Sequence, residues 1–145
     1  MKTKAFFNEL DHDAMVAAIG DAEKRTSGEI RVCVTRRKVS DAQQAAARRF
    51  HKLGMHKTRQ RNAVLIYVAP ESQKFAIIGD EAVHAKCGHE FWQHVAGEMA
   101  DRFRAGNFTE GIVHGIRTAG KLLAEHFPHS RGDVNELPDT IIDQS

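Results

Sequence analysis

Three short stretches carry side chains suited to ion and phosphate chemistry: Ser27-Gly28-Glu29, Thr58-Arg59-Gln60-Arg61-Asn62 and Gly79-Asp80-Glu81. The carboxylates of Glu29, Asp80 and Glu81 and the amide oxygen of Asn62 are hard donors that suit a divalent cation. Arg59 and Arg61 present planar guanidinium forks that suit a phosphate or carboxylate group. A second cluster, His84-x2-Cys87-Gly88-His89-Glu90-x3-His94, offers softer ligands. Its members pair at helical spacings, His84 with Cys87 and Glu90 with His94. No standard zinc signature has this spacing, so His84, Cys87 and His89 form only a secondary metal candidate. A thiol near a helix start, with His84 or His89 as base, is also the pattern of a nucleophilic cysteine; the plainer reading is a small buried hydrophobe. No Gly-x-Ser-x-Gly elbow, Walker loop, His-Glu-x-x-His or dinucleotide fingerprint occurs, and no catalytic residue is assigned.

The elements that must position these groups follow from patterning. The 145 residues, 41% hydrophobic and 28% charged, fit one globular domain. That domain is expected over 11–128, with an N-terminal arm at 1–10 and an acidic tail at 129–145. Met15, Ala18, Ile19 and Ala22 share a helical face, and Gly28 is expected to end that helix in the left-handed conformation. Glu29 to Thr35 alternates as a strand. Ser40-Asp41-Ala42-Gln43 reads as a capping box, with serine as the cap of a helix that ends at Gly54. Ala63 to Ala69 is apolar on both faces, as in a central strand covered on both sides. After the Pro70 turn, Lys74 to Ile78 forms a third strand. Phe91, Val95, Met99 and Phe103 recur every four residues, and a last helix runs from Glu110 to about His126. Gly111 and Gly115 sit four apart in it, a smooth face for close packing. The order is α-β-α-β-β-α-α.

Strand, helix and strand in sequence imply a parallel crossover, and the short turn that follows implies an antiparallel hairpin. The fold class is therefore α/β: a three-layer sandwich with a small mixed sheet and helices on both faces. This topology brings Glu29, Asn62 and Asp80 to one rim, together with Glu81, Arg59 and Arg61.

Charge is unevenly spread. Residues 31–61 hold ten Lys and Arg against one acid, Asp41, while the chain from Asp133 onward carries four acids and no base. The basic segment reads as a solvated helix face with the acidic tail lying over it. Nucleic acid ranks last among its partners, because no aromatic residues interleave for base stacking. No stretch is apolar enough for a membrane span, and the start MKTKAFFNELDHD has no apolar signal core. Two cysteines build no disulfide framework, so the expected setting is the cytoplasm.

The three strand segments, Thr26 to Val32, Arg61 to Ala69 and Lys74 to Asp80, lead on to Gly88-His89-Glu90-Phe91-Trp92, Phe103 to Ile112 and Asn135-Glu136-Leu137-Pro138. In this order, over about residues 10 to 140, they resemble the TPM domain family, which includes thylakoid-lumen acid-phosphatase-like proteins and bacterial relatives. The resemblance implies a three-layer α/β sandwich, phosphatase activity and divalent-cation binding, usually calcium, with magnesium the other candidate. Many relatives end the third strand with Gly-Tyr-Gly and carry an aspartate a few residues on. Here Gly79-Asp80-Glu81 stands there and 82–86 hold no acid, so Asp80 or Glu81 would take that role.

Two functions remain. One is a non-catalytic module that binds a divalent cation, a small anionic ligand or a protein partner. The other is a metal-assisted phosphomonoester hydrolase at the Glu29/Asn62/Asp80 rim. The lack of a nucleophile–base pair places the module first.

Overall fold

Two parallel strands form the centre of the fold, β1 (Glu29–Thr35) and β2 (Ala63–Ala69), with Glu29 opposite Ala63 and Val34 opposite Val68. They are seen in a computed structural model that describes residues 2–129 and 141–144. Before them stand α1 (Thr3–Glu9) and α2 (His12–Glu23); α3 (Ala42–Lys52) makes the crossover between them. A 3-10 turn at Pro70–Ser72 reverses the chain into β3 (Lys74–Gly79), antiparallel to β2. Then come α4 (Glu81–Arg104), α5 (Phe108–His126) and β4 (Ile142–Gln144). The sheet order is β3-β2-β1-β4. The expected sandwich, with its parallel crossover and antiparallel hairpin, is what forms.

Every residue of β1 and β2 is buried. On one face Ile30, Val32, Val34, Val64, Ile66, Val68 and Ile77 join residues of α1, α2, α4 and α5 in the larger core. On the other, Cys33, Leu65, Tyr67 and Ala76 pack under Ala42, Ala46 and Phe50 of α3. Burying such side chains stabilises the fold by roughly 1.5–3 kcal/mol each.

Several expectations are corrected. Residues 1–10 are not a bare arm, since α1 turns Phe6 into the core and Leu10 follows it there. The cap of α3 is Asp41, not Ser40: its carboxylate accepts from the Gln44 amide at 3.0 Å. Helix α4 starts ten residues before Phe91, broken only at Gly88, whose φ of 73° bends the helix there. Gly28 is not left-handed. A Cβ there would meet a Leu123 methyl at 3.0 Å and the Asn62 carbonyl at 3.1 Å, so close approach is what requires glycine. The end of the tail is a fourth strand, with Cys33 opposite Ile142, and Arg36 holds Asp143 at 2.6 Å. That pair puts an acid of the tail against the basic segment, while tail residues 130–140 and 145 lie outside the described residues.

The glycines of α5 let helices and sheet close together. A Cβ at Gly115 would stand 2.6 Å from Met99 Sδ, and one at Gly120 2.6 Å from Ala22 Cβ. Met99 can swing aside; Ala22, fixed to the α2 backbone, cannot. Helix propensity alone favours alanine over glycine by about 1 kcal/mol. At position 120 overpacking outweighs it, because a clash against rigid backbone destabilises by roughly 1–3 kcal/mol. Gly120→Ala is therefore expected to lower the thermal midpoint in a calorimetric melt, and an unchanged or raised midpoint would contradict this packing.

Candidate functional site

The rim at the amino ends of β1 and β2 does gather the predicted segments, but it sorts them into two structural networks. In the first, Asn62 Nδ2 donates to Ser27 Oγ, which donates to Gln60 Oε1, each at 3.1 Å. In the second, Arg61 grips Asp80 with Nε at 2.8 Å and Nη2 at 3.0 Å and reaches Glu81 at 3.4 Å. Asp80 is 6% exposed and also caps α4, its Oδ1 accepting from the Glu81 amide at 2.8 Å. The paired carboxylates hold the Arg61 guanidinium above its ordinary pKa. Glu29 is buried beside Arg31, on the face that α3 covers, and Arg59 is exposed.

This donor set does not fit a divalent cation. Both Asp80 oxygens already face a guanidinium, and a cation there would have to displace that fixed positive charge. Among the described residues, no three His, Cys, Asp or Glu side chains group closely enough to hold a metal ion. The His84 cluster is not gathered either: His84 and His89 are exposed, and the Gly88 kink separates Cys87 from His89. Burial, helped by nearby Glu125, pushes the Cys87 thiol up rather than down, against a nucleophilic role.

A different site lies on the far side of β1, in a pocket of about 340 Å³. Residues 41, 44, 45, 48, 49 and 52 line it from α3 and its cap, a helical stripe of spacing three and four. The loop after β1 adds Arg37 and Lys38, with Tyr67 and Gln144 also in the wall. Arg37, Lys38, Arg48, Arg49 and Lys52 thus face one acid, Asp41. Among the described residues none of these five cations forms an ion pair. Arg49 Nε is buried with no hydrogen-bond partner among the described residues. Behind it Arg31, 8% exposed, is pushed below its ordinary pKa by burial, with Arg49 adding repulsion. The sequence displayed the charge run; the signal that marks a pocket is the single stripe on which Arg48, Arg49 and Lys52 fall.

A second cavity of about 970 Å³ opens at the carboxyl end of β2. Phe6, Phe75, Phe103 and Phe108 line it, with Phe75 edge-on to Phe103 at 5.1 Å between ring centres. Ser40, Asp41, Lys74 and Arg104 complete the lining, and Lys74 Nζ donates to the Ser40 carbonyl at 2.6 Å. Sequence reasoning missed this site by gathering chemistry at the other rim. The general rule that open α/β sheets bind ligands at the carboxyl ends of their strands points to it.

Fold and pockets together define a three-layer α/β domain, with a cationic pocket and a phenylalanine-lined cleft on either side of the α3 N-terminus. The model of the TPM domain matches residues 1–122, and the chain belongs to that family. It is similar to the BA42 protein of the psychrophilic bacterium Bizionia argentinensis, solved by NMR: identity is 42%, coverage 91% of each chain and the TM-score 0.84. The N-terminal domain of a P. gingivalis protein, also solved in solution, shares the fold alone, at 16% identity, a TM-score of 0.64 and coverage of 82% of this chain and 78% of that one. No curated protein matches the chain. Among the described residues, no helix is long and apolar enough to cross a membrane.

Cys33, fully buried behind the cationic pocket, is pushed up to about 11 by burial, with Arg49 and Arg31 opposing the rise. From its ordinary 9.0 up to that value, the unfolded chain releases this proton while the native chain keeps it, so stability falls as pH rises through that window. The full loss is roughly 3 kcal/mol at 1.36 kcal/mol per pKa unit. Urea melts at pH 8 and pH 10.5 are expected to show about 2 kcal/mol of that loss for the parent chain, at 1.36 kcal/mol per pKa unit, and a smaller fall for Cys33→Ala. Equal falls would show that Cys33 does not carry the effect.

Proposed function

We propose that this TPM domain is a non-catalytic module that holds a phosphate-bearing anion in the pocket beside α3. One observation carries the reading: among the described residues, five cations around a pocket of about 340 Å³ face a single carboxylate. Like charges held together repel, and an anion carrying two negative charges relieves that repulsion while accepting charge-assisted hydrogen bonds. Arg48 and Arg49 supply forks for phosphate oxygens, and Lys38 and Lys52 supply mobile point charges. The last turn of α3 tolerates its cations because the helix dipole is negative there.

Holding is favoured over hydrolysis by what lines the pocket. A hydrolase needs a nucleophile and a base within reach of the phosphorus. Asp41 has one oxygen committed to capping α3, and the Cys33 thiol stays protonated at neutral pH. A cytoplasmic setting goes with this reading and is supported by two free cysteines, which a reducing compartment keeps as thiols.

Calorimetric titration with inorganic phosphate at low salt tests the proposal. Binding is expected, weakening as added salt screens the cations. Reversing two charges, Arg48→Glu with Lys52→Glu, should weaken it at least tenfold, about 1.4 kcal/mol. No binding, or binding indifferent to the reversal, would reject the pocket. Turnover of an aryl phosphate that disappears in the same double variant would replace the module with the hydrolase.

A further inference from the structure

The cationic pocket and the phenylalanine cleft are not separate features. Ser40, Asp41 and Ala42 line the large cleft, and Ser40 and Asp41 also line the cationic pocket. The two therefore meet at the N-terminus of α3, at the carboxyl ends of β1 and β2, where a crossover leaves a crevice. From this junction we infer that the ligand is an amphipathic phosphate ester, its anionic group among Arg48, Arg49 and Lys52 and its flat apolar body in the cleft among Phe75, Phe103 and Phe108. The inference rests on the anion reading of the cationic pocket and adds the chemical class of the ester.

Three observations shape it. Volume comes first: about 970 Å³ lies at the upper end of small-ligand sites, far more than a free phosphate needs. Shape comes second. Phe75 and Phe103 stand nearly perpendicular at 89°, and Phe6 and Phe108 lie 4.8 Å apart, so the walls present ring edges and faces to a flat guest. Phe75, Phe103 and Phe108 are each only partly buried, so their free surface remains available. Charge comes third. Among the described residues Asp41 is the only acid in either lining, and it sits at the junction, where it repels a phosphate and keeps the anionic end on the Arg48 side. At the cleft, Lys74 and Arg104 are already engaged, Lys74 by the Ser40 carbonyl and Arg104 by Asp101 at 3.0 Å. Among the described residues none of the five cations of the other pocket is held in an ion pair, and Arg49 meets only the neutral Cys33 thiol, so the ester's orientation is set.

The test compares 1-naphthyl phosphate, inorganic phosphate and 1-naphthol by calorimetry on the full chain. The ester is expected to bind at least tenfold more tightly than inorganic phosphate, and 1-naphthol more weakly than the ester. Ala100→Trp, which adds a ring from the α4 wall of the cleft, should bring the ester down to the affinity of inorganic phosphate. Phe75→Leu keeps an apolar side chain on β3 and should remove several-fold of the gain, which covers the case in which the tryptophan variant does not fold. Equal affinity for ester and phosphate, or an ester affinity untouched by both variants, would overturn the inference and leave the anion pocket standing. Ester binding that ignores Arg48→Glu with Lys52→Glu would overturn both, because the anionic end would then not lie in the cationic pocket.

Discussion

One geometric shortfall governs this molecule: a four-stranded sheet has two faces to cover, and a single short helix is all that α3 provides for one of them. A helix is about 10 Å wide, and strands lie about 4.8 Å apart, so α3 spans roughly two strands. It packs on β2 and β3. On β1 only Cys33 joins the cluster under α3, and the rest of that face is left to long side chains, with β4 at its edge. Arginine and lysine suit this task, because their stems cover apolar surface while their heads remain polar. The cationic pocket is thus a consequence of layer coverage as much as of charge: the stripe 41-44-45-48-49-52 borders the part of the sheet that the helix is too narrow to roof.

The opposite rim shows how similar residue types become structural. Arg61 and Asp80 form a bidentate pair, Asp80 caps α4, and its backbone amide donates to the Ala63 carbonyl at 2.9 Å. Each contact fixes where the hairpin ends and the long helix begins. A carboxylate with both oxygens turned to a guanidinium has little left to offer a cation. What distinguishes the two rims is pairing: at the amino end Arg61 is matched by Asp80 and Glu81, whereas beside α3 the bases outnumber the acids five to one among the described residues.

Strand β4 links the two themes. Its pairing with β1 gives the sheet a fourth strand, and Arg36 binding holds the Asp143 carboxyl below its usual range. Gln144, next to Asp143, lines the cationic pocket and accepts a weak bond from the Cys33 thiol at 3.8 Å. A segment of only three residues therefore both closes the sheet edge and builds a wall of the candidate site.

Most of the scaffold was legible in the sequence because local rules decide it. Alternation fixed β1, the two-sided apolar run fixed β2, the short turn made β3 antiparallel, and the four-residue recurrence from Phe91 to Phe103 made a helix. The rim convergence followed from chain direction alone. Local rules failed where partners are distant in sequence. Phe6 and Leu10 look like an arm until α5 and the sheet bury them, and Ile142-Asp143-Gln144 is too short to read as a strand until β1 offers an edge. Whether a charged side chain is a ligand or a strut depends on which neighbour reaches it first, and that distance exists only in three dimensions. The sequence by itself determined the layers, the strand directions and the charge run. Tertiary structure alone decided that Asp80 belongs to Arg61, and that the cations of α3 line a pocket adjoining an aromatic cleft.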